Sequence, residues 1–302
     1  MTDALETPLV GLPRFIDVPK VQFGPLKKAR LFAQAYTSAA GIPYTSIKHY
    51  LKVDPARAQR IAQAYDDMKD DPQNETVKAS YAAMITETLA QYQFVKLAEL
   101  KIEMIPEGRD PYAASPRLAI LDVVCNNHMW VFPTAFGFGQ DKGALGNDAL
   151  ASVNPLLALT DEWAGNVQLC VNDVFRIVHD YFGHIKEGIG FRADGEENAW
   201  RSHSTMYSRR ALGAITTELR GQNSWLNYGP YGDMNRTAKA ENTIYAEQKI
   251  GLLPEWVWDE GRADPSVSIG PSAPPSPGMP PSPRPGQHSL ESPIGDQETP
   301  RL

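Results

Sequence analysis

The sequence predicts a mostly α-helical protein, in which residues 1–262 form a single globular domain with a few short strands and residues 263–302 form a disordered tail. Apolar residues recur at the spacing of one helix face in several segments of the first part. The tail holds 11 of the 25 prolines, among serines and glycines, and has too few apolar residues to build a core. The first part is long enough to bury a core of its own.

Three helices outside the candidate site are predicted in order along the chain. Asp54 is a typical cap for a helix that begins with Pro55. Residues 74–103 carry a long apolar stripe that predicts a second helix. A third is predicted over residues 238–250, ended by Gly251 and the proline that follows. We interpret these stripes as core.

Residues 118–132 are apolar and rich in β-formers at both ends, which predicts a strand or a short helix. His128 would then lie near the functional site, although a lone histidine is more often a structural residue. Within the first part, no internal repeat, glycine-rich phosphate loop, Gly-x-Ser-x-Gly elbow or Cys-x-x-Cys pair indicates a different architecture.

The most informative segment places two of the six histidines, His179 and His184, five residues apart. Residues 172–182 carry an apolar stripe that predicts a helix. Because five residues on an α-helix rotate by about 140°, the two imidazoles would diverge if the helix continued. Gly183 is predicted to adopt the left-handed conformation, end the helix and swing His184 back. Two converging imidazoles with a carboxylate would suit iron, zinc, copper or nickel.

The HDYFGH run resembles the His-Glu-x-x-Gly-His signature of the pterin-dependent aromatic amino acid hydroxylases. The resemblance continues through residues 191–197 (FRADGEE) and 214–219 (AITTEL), and covers about a seventh of the chain. It implies a mononuclear non-haem Fe(II) held by His179, His184 and Glu218, with a pterin as cosubstrate. Zinc is the alternative metal.

The chain departs from that signature at Asp180, where the family has glutamate, and lacks the family's Pro-Asp pair before the first histidine. The resemblance therefore bears on the metal more than on the pterin. Other runs, NNHMWVFPT, GEENAWRSHSTMYS and RGQNSWLNYGPYG, are similar to uncharacterised proteins encoded in bacteriophage and bacterial genomes, a resemblance that implies no activity.

The third metal ligand depends on a break in the downstream helix. A break between Ser204 and Ser208 would let a second helix bring Glu218 back to the histidines. An unbroken helix would leave Glu196 or Glu197 as the ligand instead. Both glutamates are also typical first-turn acids, which the helix dipole favours. On helical spacing Glu196 shares a face with Trp200, His203 and Tyr207, which leaves open a second, carboxylate-rich metal position.

Residues 220–232 alternate amides and aromatics with three glycines and a proline, which predicts a hydrogen-bonding loop beside the site. Arg220, Asn223 and Trp225 are its candidate substrate-binding residues, and arginine forks suit a carboxylate or phosphate on the substrate. An ordered surface loop covering the core is the alternative. The candidate catalytic residues are Asp180, which would orient a ligand histidine, Glu197, a base in the zinc alternative, and Tyr228, against which the substrate would lie.

The remaining features limit location and partners. A net charge of −7 argues against general nucleic-acid binding. There is no apolar run of eighteen residues and no secretory signal at the start. With two cysteines, the chain suits a reducing compartment, and we expect a cytoplasmic protein, in the bacterial host if phage-encoded. The tail's PSPGMPPSPRPG run is a candidate polyproline ligand for a protein partner, with a solvated extension as the alternative.

Three functional hypotheses follow. The first is a mononuclear non-haem iron oxygenase or hydroxylase acting on a small substrate, aromatic or anionic. The second is a zinc-dependent hydrolase in which Glu196 or Glu197 activates water. The third is a phage structural or accessory protein whose histidines hold a structural metal or a hydrogen-bond network. A closed four-ligand site with no adjacent cavity would favour the third hypothesis, and an open site facing a pocket lined by the loop of residues 220–232 would favour catalysis.

Overall fold

The computed structural model describes residues 25–47, 49–113, 115–136, 153–238 and 242–259. Within them the protein is mostly α-helical, which confirms the predicted fold class. The α-helices are α1 (Lys27–Ala39), α2 (Pro55–Asp67), α3 (Glu75–Leu97), α4 (Arg117–Asn126), α5 (Val171–His179), α6 (Ala193–His203), α7 (Leu212–Thr216), α8 (Gln222–Tyr228), α9 (Gly232–Asn235) and α10 (Glu255–Asp259). No helix of these residues is long and apolar enough to span a bilayer. The predicted disordered tail lies outside the described residues.

Short strands form two small sheets, as predicted. β1 (Lys101–Met104) pairs in parallel with β2 (His128–Val131). β3 (Leu159–Ala164) pairs antiparallel with β4 (Val167–Cys170). A two-residue turn joins β3 to β4, and Gly165 in that turn has a φ of 61°, which the hairpin geometry favours.

Shorter helical turns connect these elements. Among the described residues these include 3-10 turns at Thr134–Phe136, Pro155–Leu157 and Ser204–Met206. Two are π-helical turns: the first, Asp180–Ile185, follows α5, and the second, Thr217–Gly221, joins α7 to α8. π-helical turns are uncommon and are frequent at functional sites.

The long helix α3 organises the core, because α1, α5 and α7 all pack against it. Its apolar stripe buries Tyr81, Met84, Tyr92 and Val95. Each large apolar side chain buried in this way contributes about 1.5–3 kcal/mol to folding. α6 packs against both π turns, and α8 packs against α2. The result is a helical core in which α3, α5 and α6 approach one another.

The predicted start of α2 is confirmed by its cap. The Asp54 side chain accepts hydrogen bonds from the backbone N–H groups of Ala56 and Arg57 at 3.0 and 3.4 Å, and Pro55 is the first helical residue. Asn74 caps α3 in the same manner, through the N–H groups of Thr76 and Val77. Both caps satisfy donors that have no partner inside the helix.

Two predicted helices differ from the structure. The helix predicted over 74–103 ends at Leu97, because Glu99 turns the chain with a φ of 55° and the next residues join β1. The helix predicted over 238–250 is wrong for residues 243–250, which lie outside helices and strands. Contacts with the end of α2 hold that segment instead: Ile250 N–H donates to Asp70 Oδ1 at 2.8 Å and Tyr65 Oη donates to the Glu247 carbonyl at 2.9 Å.

The loop predicted over 220–232 is wrong in its first half, which is the buried helix α8. Trp225 and Leu226 are buried there, with Trp225 in an apolar cluster with Tyr65 of α2. Gly221, just before α8, is explained by close packing. A Cβ at this position would lie 2.7 Å from Leu253 Cδ1 and 2.9 Å from Tyr65 Cδ2. Tertiary packing therefore overrides the glycine and amide composition that favoured a loop.

Candidate metal centre

The first π turn brings the two histidines together. Its backbone bond from Lys186 N–H to the Tyr181 carbonyl, 2.9 Å long, spans five residues. Residues five apart are therefore stacked one above the other, and the Nε2 atoms of His179 and His184 lie 3.2 Å apart. The predicted left-handed stop at Gly183 is wrong, because Gly183 stays inside the π turn with a negative φ.

Gly183 serves the site through close packing instead. A Cβ at this position would lie 2.9 Å from Nδ1 and 3.0 Å from Cε1 of the His179 ring. The absence of a side chain therefore leaves room for the imidazole over the turn.

Glu196, in the first turn of α6, completes a triangle of ligand atoms. Its Oε2 lies 3.2 Å from His184 Nε2 and 3.5 Å from His179 Nε2. Ligand atoms about 2.0–2.2 Å from one ion, at angles between octahedral and tetrahedral values, lie about 2.8–3.6 Å apart. The three side chains therefore fit a single divalent ion, and within the described residues they form a group suited to holding one.

The charge state of the triangle follows from burial and hydrogen bonding. His184 is completely buried, and its Nδ1 lies 3.1 Å from the Gly190 carbonyl, so Nδ1 carries the proton and Nε2 a lone pair. Burial lowers the pKa of His179. Burial raises the pKa of the Glu196 carboxyl, but the charge and hydrogen bonds of His184 and His179, in their protonated forms, outweigh burial and lower that pKa to about 2.

Access to the triangle is uneven. The side chains of His179 and Glu196 are each 9% exposed, whereas that of His184 is 1% exposed. Phe191 stacks on the His184 ring with centroids 4.2 Å apart, and Phe175 lies parallel to the His179 ring at 6.3 Å. The cluster therefore has aromatic walls and is buried, and the small exposure that remains is on His179 and Glu196.

Two further side chains contact the centre from behind. His203, at the end of α6, has its Nδ1 3.3 Å from His179 Nδ1. Its Nε2 lies 3.0 Å from Oε1 of Gln91 on α3. Helical spacing alone places His203 on the same face as Glu196. Gln91 was missed, and the only signal was a glutamine inside an apolar stripe beside Tyr92.

Glu218 does not join the histidines. The predicted break between α6 and α7 is present at Ser204–Met206, but Glu218 lies in the second π turn and points elsewhere. Its carboxylate accepts hydrogen bonds from Tyr81 Oη at 2.5 Å and from Gln222 Nε2 at 2.7 Å. Burial raises its pKa to about 7. The position that the resemblance implied for Glu218 is held by Glu196.

Glu197 and Arg220 are bound to each other. The guanidinium donates from Nε and Nη2 to the two carboxylate oxygens at 3.0 and 2.5 Å, and both side chains are buried. Arg220 also lies 4.0 Å over the Trp200 ring and donates to the Val257 carbonyl. Glu197, the predicted base, and Arg220, a predicted substrate-binding residue, therefore lie in the core and do not contact the histidines.

The remaining candidates on α8 also have contacts of their own. Trp225 Nε1 donates to Asp66 Oδ1 at 2.6 Å, and the Asn223 side chain accepts a hydrogen bond from Asn227 at 2.8 Å. Tyr228 is half-buried, with Arg236 5.4 Å over its ring. These contacts connect α8 to α2 and to α9, and none is with the histidines.

Two further predicted positions lie beside other partners. Asp180 is half-buried at the start of the first π turn, but the second ring nitrogens of the ligand histidines face His203 and Gly190. His128 lies on β2 between Asp122 and Glu103, at 2.6 and 3.0 Å, and not at the metal centre.

The centre is thus defined by its own geometry. No protein-family model, curated protein or solved structure matches this chain.

Proposed function

We propose that this protein is a metal-dependent oxidoreductase in which His179, His184 and Glu196 hold one Fe(II) ion. The observation that carries the proposal is the triangle of ligand atoms, with edges of 3.2, 3.2 and 3.5 Å. The end of α5, the first π turn and α6 supply these atoms from a buried core, and rigid support is what a metal centre requires.

A metal ion makes this arrangement favourable when the two histidines are neutral. The lone pair of a neutral His184 Nε2 faces the Glu196 carboxylate oxygen, and both atoms are then hydrogen-bond acceptors. Buried acceptors that face each other repel unless a proton or a metal ion lies between them. A divalent ion satisfies all three atoms at once, whereas a proton satisfies two.

Iron is the metal that this ligand set suits best. Two histidines and one carboxylate on one face, with other positions open, are typical of non-haem Fe(II) oxygenases. The resemblance of the HDYFGH run points to the same metal and to hydroxylation, with a pterin as a candidate cosubstrate. Bound Fe(II) would supply oxygen activation. The chain would hold the ion through His179, His184 and Glu196, and the aromatic walls, Phe175 and Phe191, would exclude water around a small substrate.

Zinc-dependent hydrolysis has less support. It needs a carboxylate base beside the ion. Glu196 is a ligand in this geometry, and both oxygens of Glu197 are held by Arg220. A purely structural metal site would be closed by a fourth ligand, whereas the cluster has three members among the residues that the structure describes.

The test is the metal content and anaerobic Fe(II) affinity of untagged protein purified without chelator. We expect about one iron per chain, lost in His184→Ala and Glu196→Ala but retained in Glu218→Gln, a matched change of a buried glutamate. Iron-dependent oxygen uptake should follow the same pattern across candidate aromatic substrates. Zinc in place of iron would contradict the oxidoreductase proposal, and equal metal loss in the Glu218 variant would contradict the ligand set.

A further inference from the structure

A hydrogen-bonded chain runs from α3 through α6 to the metal centre. Gln91 begins it: its Nε2 donates to the Met206 carbonyl at 3.4 Å, and its Oε1 lies 3.0 Å from His203 Nε2. The reverse orientation of the amide would set two acceptors, Oε1 and the Met206 carbonyl, against each other. Gln91 therefore presents an acceptor to His203.

The positions of the ring protons follow from this acceptor. A neutral imidazole has one N–H, and the acceptor on Gln91 draws that of His203 to Nε2. His203 Nδ1 is then an acceptor, 3.3 Å from His179 Nδ1. The proton between these two nitrogens must come from His179. With its proton on Nδ1, His179 has its lone pair on Nε2, which is the atom in the triangle.

We propose that Gln91 and His203 are positioning residues that hold His179 in the tautomer and orientation needed to bind the metal. This inference deepens the proposed function and rests on it for the identity of the site. A ligand histidine is oriented by the partner of its second ring nitrogen, and loss of that partner weakens metal binding about 10–100-fold.

The two ligand histidines are oriented by different means. His184 Nδ1 faces a backbone carbonyl, that of Gly190, on the same connection between the first π turn and α6. His179 instead depends on side chains from α6 and α3. All of Gln91, His203 and Met206 are fully buried, so water does not compete for these bonds. The packing of α3 against α5 therefore affects the orientation and the tautomer of His179.

The first experiment reads the tautomers directly, in metal-free protein, by long-range ¹H–¹⁵N correlation spectroscopy of the histidine rings. We expect the proton on Nδ1 in His179 and on Nε2 in His203. A proton on Nε2 of His179 in the wild-type protein would overturn the proposal. This readout needs no metal and no variant, so it stands even if the metal assignment fails or a variant does not fold.

The second experiment measures anaerobic Fe(II) affinity in variants. Gln91→Met removes the acceptor at nearly constant volume and should weaken binding about tenfold or more. Gln91→Glu keeps an acceptor oxygen toward His203 but sets its second oxygen against the Met206 carbonyl, so it should restore part of the affinity. Gln93→Met, at an exposed glutamine on the same helix, is the matched control and should bind as wild type.

The outcomes separate the two proposals. Wild-type affinity in Gln91→Met, or equal loss in Gln91→Glu, would overturn the positioning role while leaving the metal centre intact. Absence of metal binding in the wild-type protein would overturn the proposed function, and the tautomers of His179 and His203 would still decide the hydrogen-bonded chain.

Discussion

The two π turns of this protein have the same kind of backbone conformation but lie beside buried carboxylates in opposite hydrogen-bonding environments. The first, Asp180–Ile185, gathers acceptors: two imidazole nitrogens converge on the Glu196 carboxylate. The second, Thr217–Gly221, buries Glu218 among donors, because Tyr81 and Gln222 both donate to its carboxylate. When the two histidines are neutral, Glu196 faces lone pairs and needs a cation between them, whereas Glu218 already accepts two hydrogen bonds.

The comparison gives a general expectation for variants. Changes around the first π turn should affect metal binding more than folding, and changes around the second should affect folding more than metal binding. Variants at each turn test one side of that division against the other.

The largest expected effect is on metal binding at the first turn. Glu196→Gln should weaken Fe(II) binding at least about 100-fold, because the anionic ligand is lost. The stability of the metal-free protein should fall far less than the affinity, since the new amide can still donate to the histidine nitrogens although the attraction of the carboxylate is lost. Metal titration and urea unfolding of the metal-free form measure the two quantities. A large loss of stability without loss of affinity would reverse the roles assigned to this turn.

The next effect is on folding at the second turn. Arg220→Met leaves the buried Glu197 carboxylate without its partner, which should lower the free energy of unfolding by about 3–5 kcal/mol. Adding Glu197→Gln should recover part of that loss, because the unpaired charge is removed. Urea unfolding measures both variants, and Fe(II) affinity of the folded fraction should stay near wild type. A parallel fall in affinity would mean that the Glu197–Arg220 pair belongs to the metal centre.

Glu218 should make folding depend on pH. Burial raises its pKa from 4.5 to about 7 in the folded protein, so the stability it contributes is complete below pH 4.5 and is lost as pH rises through 7. A shift of this size corresponds to about 3 kcal/mol at 1.36 kcal/mol per pH unit. Glu218→Gln removes the titration. The free energy of unfolding of this variant should therefore rise relative to that of wild type as the pH increases from 5 to 7.5. Parallel urea-unfolding curves of the two proteins across this range would contradict the assignment.

Sequence patterns predicted the fold better than the site because the two depend on different information. Apolar spacing and caps such as Asp54 are local, so the predictions of α2, α3 and α5 held in large part. The π turn, in contrast, is not specified by a local sequence pattern. A step of five residues from His179 to His184 required some departure from an α-helix, and the sequence indicated a glycine stop where packing instead selects a wider turn.

The third ligand was beyond local patterns for the same reason. Glu196 and Glu218 are both buried acids on helices, and only the tertiary arrangement shows that one meets histidines and the other meets Tyr81. Gln91 contacts the centre from more than a hundred residues away in the chain. Such contacts are set by how α3, α5 and α6 pack, a property that the spacing of residues within one helix does not encode.

The smallest and most closely matched effects come from the two glycines of the π turns. Gly183→Ala places a methyl group 2.9 Å from the His179 ring, so the imidazole must move and Fe(II) affinity should fall about tenfold. Gly221→Ala places one 2.7 Å from Leu253 and 2.9 Å from Tyr65, so it should lower stability by about 1–3 kcal/mol through overpacking. The same methyl group in the same kind of turn then produces a binding defect in one case and a folding defect in the other. Measuring affinity and urea unfolding for both variants tests the division itself, because two similar profiles would show that the turns differ only in sequence and not in role.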